Sequence, residues 1–281
     1  MDAVRDAEVV FTWRFTLPML EAARRLKWVH LSGAGADQIL FPEFRNSSIM
    51  LTNSRGMHGP YIAEWTLAAL LYLAQRFSHA AAWRGDRQWK AHKQAITLER
   101  FLLERRSALI VGYGAIGQAI AERLTAVGVS CEAIATTSRK AAIPVHPIQE
   151  LTTMIGSFDV VIVALPLTQQ TRGLFNRDLF SRMKSGSTFV NIARGKIVDQ
   201  SALITALRHG PLSCAALDVF DEEPLPETSP LFDLPNLFMT PHVSGNFSDY
   251  SRVANQMFLA NLRRYLKNEA LENVVDRTKG Y

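Results

Sequence analysis

The chain has 281 residues, 48% of them hydrophobic and 20% charged, which suits the packed core of one large or two ordinary domains and excludes a disordered polymer. Its 31 lysines and arginines against 26 acids leave a net charge of +5, spread thinly rather than gathered into a stripe, so no nucleic-acid partner is expected. The longest apolar stretch, Tyr61 to Phe77, is interrupted by Glu64 and is too short to span a membrane comfortably. Met-Asp-Ala-Val-Arg-Asp at the start has no apolar stretch of a secretory leader, and Cys131 and Cys214 sit in apolar runs like the buried thiols of a reducing compartment. A cytoplasmic protein is expected.

Ala7–Trp13 is a β-branched and aromatic run that predicts a strand, followed by a helix over Pro18–Leu26. Trp28–Leu31 predicts a second strand, ended by Ser32-Gly33-Ala34-Gly35, and Ile49–Thr52 a third. Alternation of strands and helices implies a parallel sheet. Residues 62–77 predict a helix that is apolar nearly all round, from Trp65 through Leu67, Leu70, Leu71 and Leu73 to Phe77. Such a helix is covered on most faces, by the core or by a second subunit. Residues 78–100 are polar and read as irregular.

From Ala108 the pattern becomes regular. Strands are predicted at Ala108–Val111, Cys131–Ala135, Asp159–Leu165, Thr188–Ile192, Ala215–Val219 and Leu237–Met239. Helices fit between them, one with the apolar face Ile116, Ile120, Leu124 and Val127, others over Asn176–Met183 and Gln200–Arg208. A last amphipathic helix covers about Tyr250–Lys267. The fold class is α/β, with two doubly wound parallel-sheet domains: residues 1–59 with 249–281 returning to them, and 60–248.

Val111 leads into Gly112-Tyr113-Gly114-Ala115-Ile116-Gly117, a G-x-G-x-x-G turn between a strand and an amphipathic helix. In that context the motif binds a dinucleotide: Gly112 makes the turn, Gly114 lets backbone approach the pyrophosphate, Gly117 lets helix pack on strand, and the helix N-terminus faces the charge. After the second strand of such a domain an NAD site carries an acid. Here Ile134-Ala135 is followed by Thr136, Thr137, Ser138, Arg139 and Lys140, hydroxyls and cations that suit a 2′-phosphate. NADP is therefore the expected cofactor, with NAD the alternative and an ordinary polar turn the plain reading.

Three further segments end predicted strands: Asn191-Ile192-Ala193-Arg194-Gly195, Leu217-Asp218-Val219-Phe220-Asp221-Glu222-Glu223-Pro224, and Met239-Thr240-Pro241-His242-Val243-Ser244-Gly245. Open α/β sheets place ligands at such ends. Taken singly, Arg194 could be a loop cation, Glu223 a solvated acid and His242 a structural histidine. Together they supply one reaction, hydride transfer to a 2-oxo acid. Arg194 offers a planar fork to a carboxylate and adjacent carbonyl, His242 a general acid near neutral pH, and Glu223 a carboxylate to orient the ring.

The ordered motifs resemble those of the D-isomer-specific 2-hydroxyacid dehydrogenases, especially their glyoxylate and hydroxypyruvate reductase-like members. The resemblance runs from about residue 7 to 265: Ala34-Gly35-Ala36-Asp37, the glycine turn, Pro166-Leu167-Thr168 with Thr171, Ala193-Arg194-Gly195, Asp218-Val219-Phe220 with Glu223-Pro224, and Pro241-His242. It implies a Rossmann cofactor domain, a smaller flavodoxin-like substrate domain and a cleft between them. It also implies Arg194, Glu223 and His242 as the catalytic set, and backbone at Ala34 and Gly35 as the substrate-carboxylate site. Cofactor contacts are implied at Leu165, Pro166, Thr171, Ile192, Ala193 and Asp218, the last to the carboxamide, although a strand-end cap is its plain reading. The segment 62–100 is implied as a homodimer arm. Members of that family usually carry a further strand–helix–strand segment before the equivalent of Ala7, so either the sequence begins late or the substrate domain is truncated, which would leave an open sheet edge. The same motifs occur in nucleotide-sensing corepressors, the main rival function. Relatives of formate dehydrogenase place Gln where this chain has Glu223. No metal is expected.

Overall fold

The computed structural model describes residues 2–280. These divide into two compact units, one of residues 2–58, 166–169 and 246–280, the other of 59–165 and 170–245.

The first unit is built on a three-stranded parallel sheet in the order β1 (Val9–Thr12), β2 (Trp28–Leu31), β3 (Met50–Asn53). Side chains alternate across a strand, and in β2 this separates two environments. Val29 and Leu31 join a core with Phe15, Ile39, Phe44 and Leu51. Trp28 and His30 lie under the helix Tyr250–Leu266, where Phe258 stacks on Phe11 at 4.8 Å and both Phe258 and Tyr265 lie within 5.5 Å of Trp28. The polar atoms on that face are satisfied in a chain. Trp28 Nε1 donates to Thr52 Oγ1 at 2.8 Å, and His30 bonds Thr52 Oγ1 at 2.7 Å and Ser54 Oγ at 3.2 Å. Burial pushes the His30 pKa down to about 4, because the charged ring is poorly solvated there. Residues Asn273–Val275 close the outer edge of β3 in antiparallel fashion: Val275 N donates to Leu51 O at 2.9 Å, and Asn53 N to Asn273 O at 3.2 Å. β1 lies at the opposite edge.

The second unit carries a seven-stranded, wholly parallel sheet: β4 (Ser107–Val111), β5 (Ser130–Ala135), β6 (Val145–Pro147), β7 (Val160–Val163), β8 (Ser187–Asn191), β9 (Leu212–Leu217) and β10 (Leu237–Met239). The spatial order β10-β9-β8-β7-β4-β5-β6 reverses direction between β4 and β7, as in a doubly wound dinucleotide fold. Its central strands are buried on both faces, which is why they read as continuous apolar runs.

Two expectations are corrected in this unit. Residues 78–100 are not irregular. They form the helices Phe77–Asp86 and Trp89–Glu99, neither with a buried residue, so no apolar stripe marked them. Local pairs hold the two helices together, including His92 Nε2 to Asp86 Oδ2 at 2.7 Å, Arg76 to Glu99 at 3.5 Å, and Trp83 edge-on to Trp89 at 5.3 Å. A seventh strand, β6, also escaped prediction, being three residues long and ended by a proline tolerated at a sheet edge. The helix expected over 62–77 spans Gly59–Ala74 and buries one stripe, Ile62, Ala63, Thr66, Ala69, Leu70, Leu73 and Ala74, leaving Tyr61 and Leu71 exposed. It packs on the helix Ala115–Ala126, where a Cβ on Gly59 would make only an ordinary contact, 3.4 Å from Ala115 O.

Candidate active site

The glycine turn follows β4. Gly112 has φ +111°, and a Cβ there would lie 2.4 Å from Ala164 O. A Cβ on Gly117 would lie 2.1 Å from Gly112 O. Both glycines are therefore demanded by the protein itself. Gly114 is different: it is exposed, its φ is negative, and a Cβ there would meet nothing within 4 Å. The fold does not need a glycine at Gly114, whereas a ligand lying against its backbone does. Ala115 and Ile116 open the following helix, whose first turn presents N–H groups toward that space. These features fit a dinucleotide pyrophosphate.

Thr136, Thr137, Ser138, Arg139 and Lys140 form an exposed loop after β5. The Arg139 guanidinium lies 5.6 Å over the ring of Tyr113, and its Nη2 donates to the Tyr113 carbonyl. Among Leu165, Pro166 and Thr171, the first and last belong to the second unit and Pro166 to the short return segment of the first, and all are half-buried.

Three neighbouring strands carry the remaining residues. Asn191 in β8 is in register with Leu217 in β9, and Leu217 with Met239 in β10. Arg194, Glu223 and His242 lie just beyond that row. The Arg194 turn is stapled by Asn191, whose Oδ1 accepts from Ala193 N at 3.1 Å and whose Nδ2 donates to Arg194 O at 3.1 Å. Ile192 and Ala193 are buried, and Arg194 Nη1 donates to Ala193 O at 2.7 Å. Gly195 then presses against the loop after β9, where a Cβ would lie 1.8 Å from the Phe220 carbonyl carbon.

Glu223 uses both oxygens. Oε1 accepts from Phe220 N at 2.9 Å, and Oε2 bonds His242 Nδ1 at 2.7 Å. The carboxylate thus bridges its own loop to the imidazole, leaving Nε2 as the nitrogen turned to other partners. His242 is half-exposed and held at φ +53°, an uncommon conformation for a non-glycine residue. Its loop is fixed from below by Asp218, which is fully buried. Asp218 Oδ1 accepts from Thr240 Oγ1 at 2.5 Å and Val243 N at 2.8 Å, and Oδ2 from Ser244 N at 2.8 Å.

Ala34 and Gly35 lie in the first unit, in a turn held by Asn53 Nδ2 donating to Ala34 O at 2.7 Å and Ser54 N to Gly33 O at 3.0 Å. Sequence reasoning missed Asn191, Thr240 and Ser244 as supports of the site. The available signal was a polar residue ending, or just following, an apolar strand. Among the described residues no cluster suited to a metal ion occurs, and no helix is long and apolar enough to cross a membrane.

Residues 67–244 match the model of the D-isomer specific 2-hydroxyacid dehydrogenase NAD-binding domain. The chain is 34% identical to glyoxylate/hydroxypyruvate reductase A of Salmonella paratyphi C, over 98% of this chain and 88% of that protein. It is 29% identical to a glyoxylate reductase of Thermofilum pendens, over 98% and 83% respectively. Among solved structures it is similar to a D-isomer specific 2-hydroxyacid dehydrogenase family protein from Aeromonas salmonicida (TM-score 0.87, 32% identity, 98% of this chain and 87% of that one). It is also similar to an NADPH-dependent glyoxylate/hydroxypyruvate reductase from Sinorhizobium meliloti in complex with NADP and sulfate (TM-score 0.87, 26% identity, 98% and 86%). With the glycine turn, the row of three strand ends and the paired Glu223 and His242, these likenesses identify the chain as a member of the D-isomer specific 2-hydroxyacid dehydrogenase family, an oxidoreductase with a Rossmann dinucleotide-binding domain.

Proposed function

We propose that the protein reduces a small 2-oxo acid of the glyoxylate or hydroxypyruvate kind to its 2-hydroxy acid, using NADPH in preference to NADH. The observation that carries the chemistry is the 2.7 Å pair between Glu223 Oε2 and His242 Nδ1 at the ends of neighbouring strands. A reduced nicotinamide, when bound, supplies the hydride. With Nδ1 committed to Glu223, His242 in its protonated form delivers the Nε2 proton to the oxygen that becomes the hydroxyl. Arg194 holds the acid and polarises the carbonyl through its planar fork. Ala34 and Gly35 are proposed as substrate-binding backbone. Asp218 Oδ2, with one acceptor position left after Ser244, is proposed to take the carboxamide, and Leu165, Pro166, Thr171, Ile192 and Ala193 to line the cofactor's path.

The preference for NADPH rests on the absence of an acid after β5 and on Arg139 and its neighbouring hydroxyls. The names of the Salmonella and Sinorhizobium relatives support both substrate and cofactor. The test is a panel of glyoxylate, hydroxypyruvate and phenylpyruvate with each cofactor. Phenylpyruvate as the preferred substrate, or equal use of NADH, would overturn the corresponding part. Arg139→Ala is expected to raise KM for NADPH much more than for NADH. The corepressor-like alternative would show nucleotide binding without turnover of any 2-oxo acid.

The two unbridged, buried cysteines fit a reducing cytoplasm. A homodimer is proposed through the exposed apolar residues of 61–102, among them Tyr61, Leu71, Phe77, Trp83, Trp89 and Leu98. Light scattering at micromolar concentration should report twice the chain mass, and a monomer would refute this interface.

A further inference from the structure

Tyr113 occupies the first variable position of the glycine turn, where no side chain is required by the motif. Its ring is only 6% exposed and belongs to the core cluster that includes Ile110, Ile120, Cys131 and Ala133. Arg139, by contrast, stands on a loop exposed from Thr136 to Lys140. A long cation on such a loop loses considerable rotamer freedom when it binds an anion. Here its guanidinium lies 5.6 Å over the Tyr113 ring while Nη2 donates to the Tyr113 carbonyl. Ring and carbonyl come from one residue, so two contacts from a single anchor hold the guanidinium.

We propose that Tyr113 is a specificity-determining positioning residue, which holds Arg139 ready for the 2′-phosphate of an NADP-type ligand. The proposal rests on the reading of Thr136–Lys140 as a 2′-phosphate cradle and names what organises it. One guanidinium N–H is spent on the carbonyl, and the other donors of the five remain for a phosphate. The anchor is rigid because the ring is buried, and the cation is weakly enough hydrated to sit on it. A leucine at position 113 could fill the same core space. Only an aromatic face also attracts the guanidinium.

The test uses the full chain and two probes that need no turnover, adenosine 2′,5′-bisphosphate and 5′-AMP, titrated calorimetrically. The ring-free variants Tyr113→Leu and Tyr113→Met, checked for folding by thermal melts, are expected to bind the bisphosphate about three- to tenfold more weakly, the size of a partly exposed cation–π contact, with 5′-AMP binding unchanged. Tyr113→Phe should restore the wild-type ratio. Arg139→Lys, which keeps the charge but not the planar face, should lose discrimination with Tyr113 untouched. If the ring-free variants bind both probes as wild type does, or weaken both equally, while Arg139→Ala still loses the bisphosphate alone, the role of Tyr113 is refuted and the cradle stands. Full discrimination in Arg139→Lys refutes it equally. If Arg139→Ala leaves the ratio of the two affinities unchanged, the cradle falls and the proposal with it.

Discussion

A Cβ placed on Gly195 would lie 1.8 Å from the carbonyl carbon of Phe220, so the turn bearing Arg194 and the loop bearing Glu223 meet backbone to backbone. No side chain fits between them, and the obstruction is main chain, which cannot swing away. Gly195→Ala must therefore displace one loop or the other. Displacements near 1 Å in a catalytic constellation cost about a hundredfold in rate. We expect a loss of that order in kcat/KM together with a lowered Tm, and wild-type kinetics in this variant would show that the two loops are not a coupled unit.

The His242–Glu223 pair makes a graded prediction. His242→Gln removes the proposed proton donor and should lower turnover by about 10²–10⁴, the usual worth of general acid catalysis. Glu223→Gln can still accept from Nδ1 but gives up the charge and the second acceptor used by Phe220 N, so its loss should be smaller than that of the histidine variant. Arg194→Lys should fall with the histidine variant, because a point charge cannot reproduce the guanidinium fork. Steady-state kinetics on one substrate order the three.

Asp218 offers a separate handle on the same loop. Its carboxylate accepts from Thr240, Val243 and Ser244, residues that bracket His242 on both sides. An amide at this position turns a donor toward at least one of these donors. Leaving a buried N–H unpaired costs about 1–3 kcal/mol. Asp218→Asn should thus lower Tm and reduce kcat even with saturating cofactor. A variant that changes only the cofactor KM would mean that the loop is held by other means.

His30 predicts a pH dependence of stability. Its ordinary pKa of 6.5 is pushed down to about 4 in the folded protein by burial. Above pH 6.5 both folded and unfolded states carry a neutral ring, and the native state is at full stability. Between pH 6.5 and about 4 the unfolded chain binds a proton that the native ring refuses, so stability declines as the pH falls, with a ceiling of about 3 kcal/mol. Below about pH 4 both states are protonated and this contribution is spent. Melting curves across pH 4–7 should show the decline, and His30→Gln, which cannot titrate, should flatten it.

Much of this architecture was legible because burial writes itself into sequence. The stretch Val160–Leu165 is a run of apolar residues since β7 is covered on both faces, and Gly112 and Gly117 are spelled out by backbone constraints that only glycine meets. That Arg194, Glu223 and His242 stand past neighbouring strand ends was legible because each follows an identifiable strand. The helices of 77–99 were not, because they bury no side chain and rest on pairs such as His92 with Asp86 that no periodicity announces. Nor could the sequence disclose that Asp218 reaches Thr240, Val243 and Ser244. These bonds depend on β9 and β10 being neighbours, a fact of pairing and not of local pattern.

The row Asn191, Leu217, Met239 divides the labour of the site in a way that bears on how it can diversify. Adjacent strands stand about 4.8 Å apart whatever their side chains, so the sheet acts as a ruler that sets the lateral spacing of the three loop bases. Height above the ruler is set by the loops and the bonds that fix them: Arg194 comes three residues past the row, Glu223 six, and His242 three. The loops themselves are tied, Gly195 against Phe220 and Glu223 to His242, so an edit in one is felt by its neighbours while the spacing of their bases stays fixed. A lineage built on this frame can therefore change its loops in concert without renegotiating the sheet that carries them.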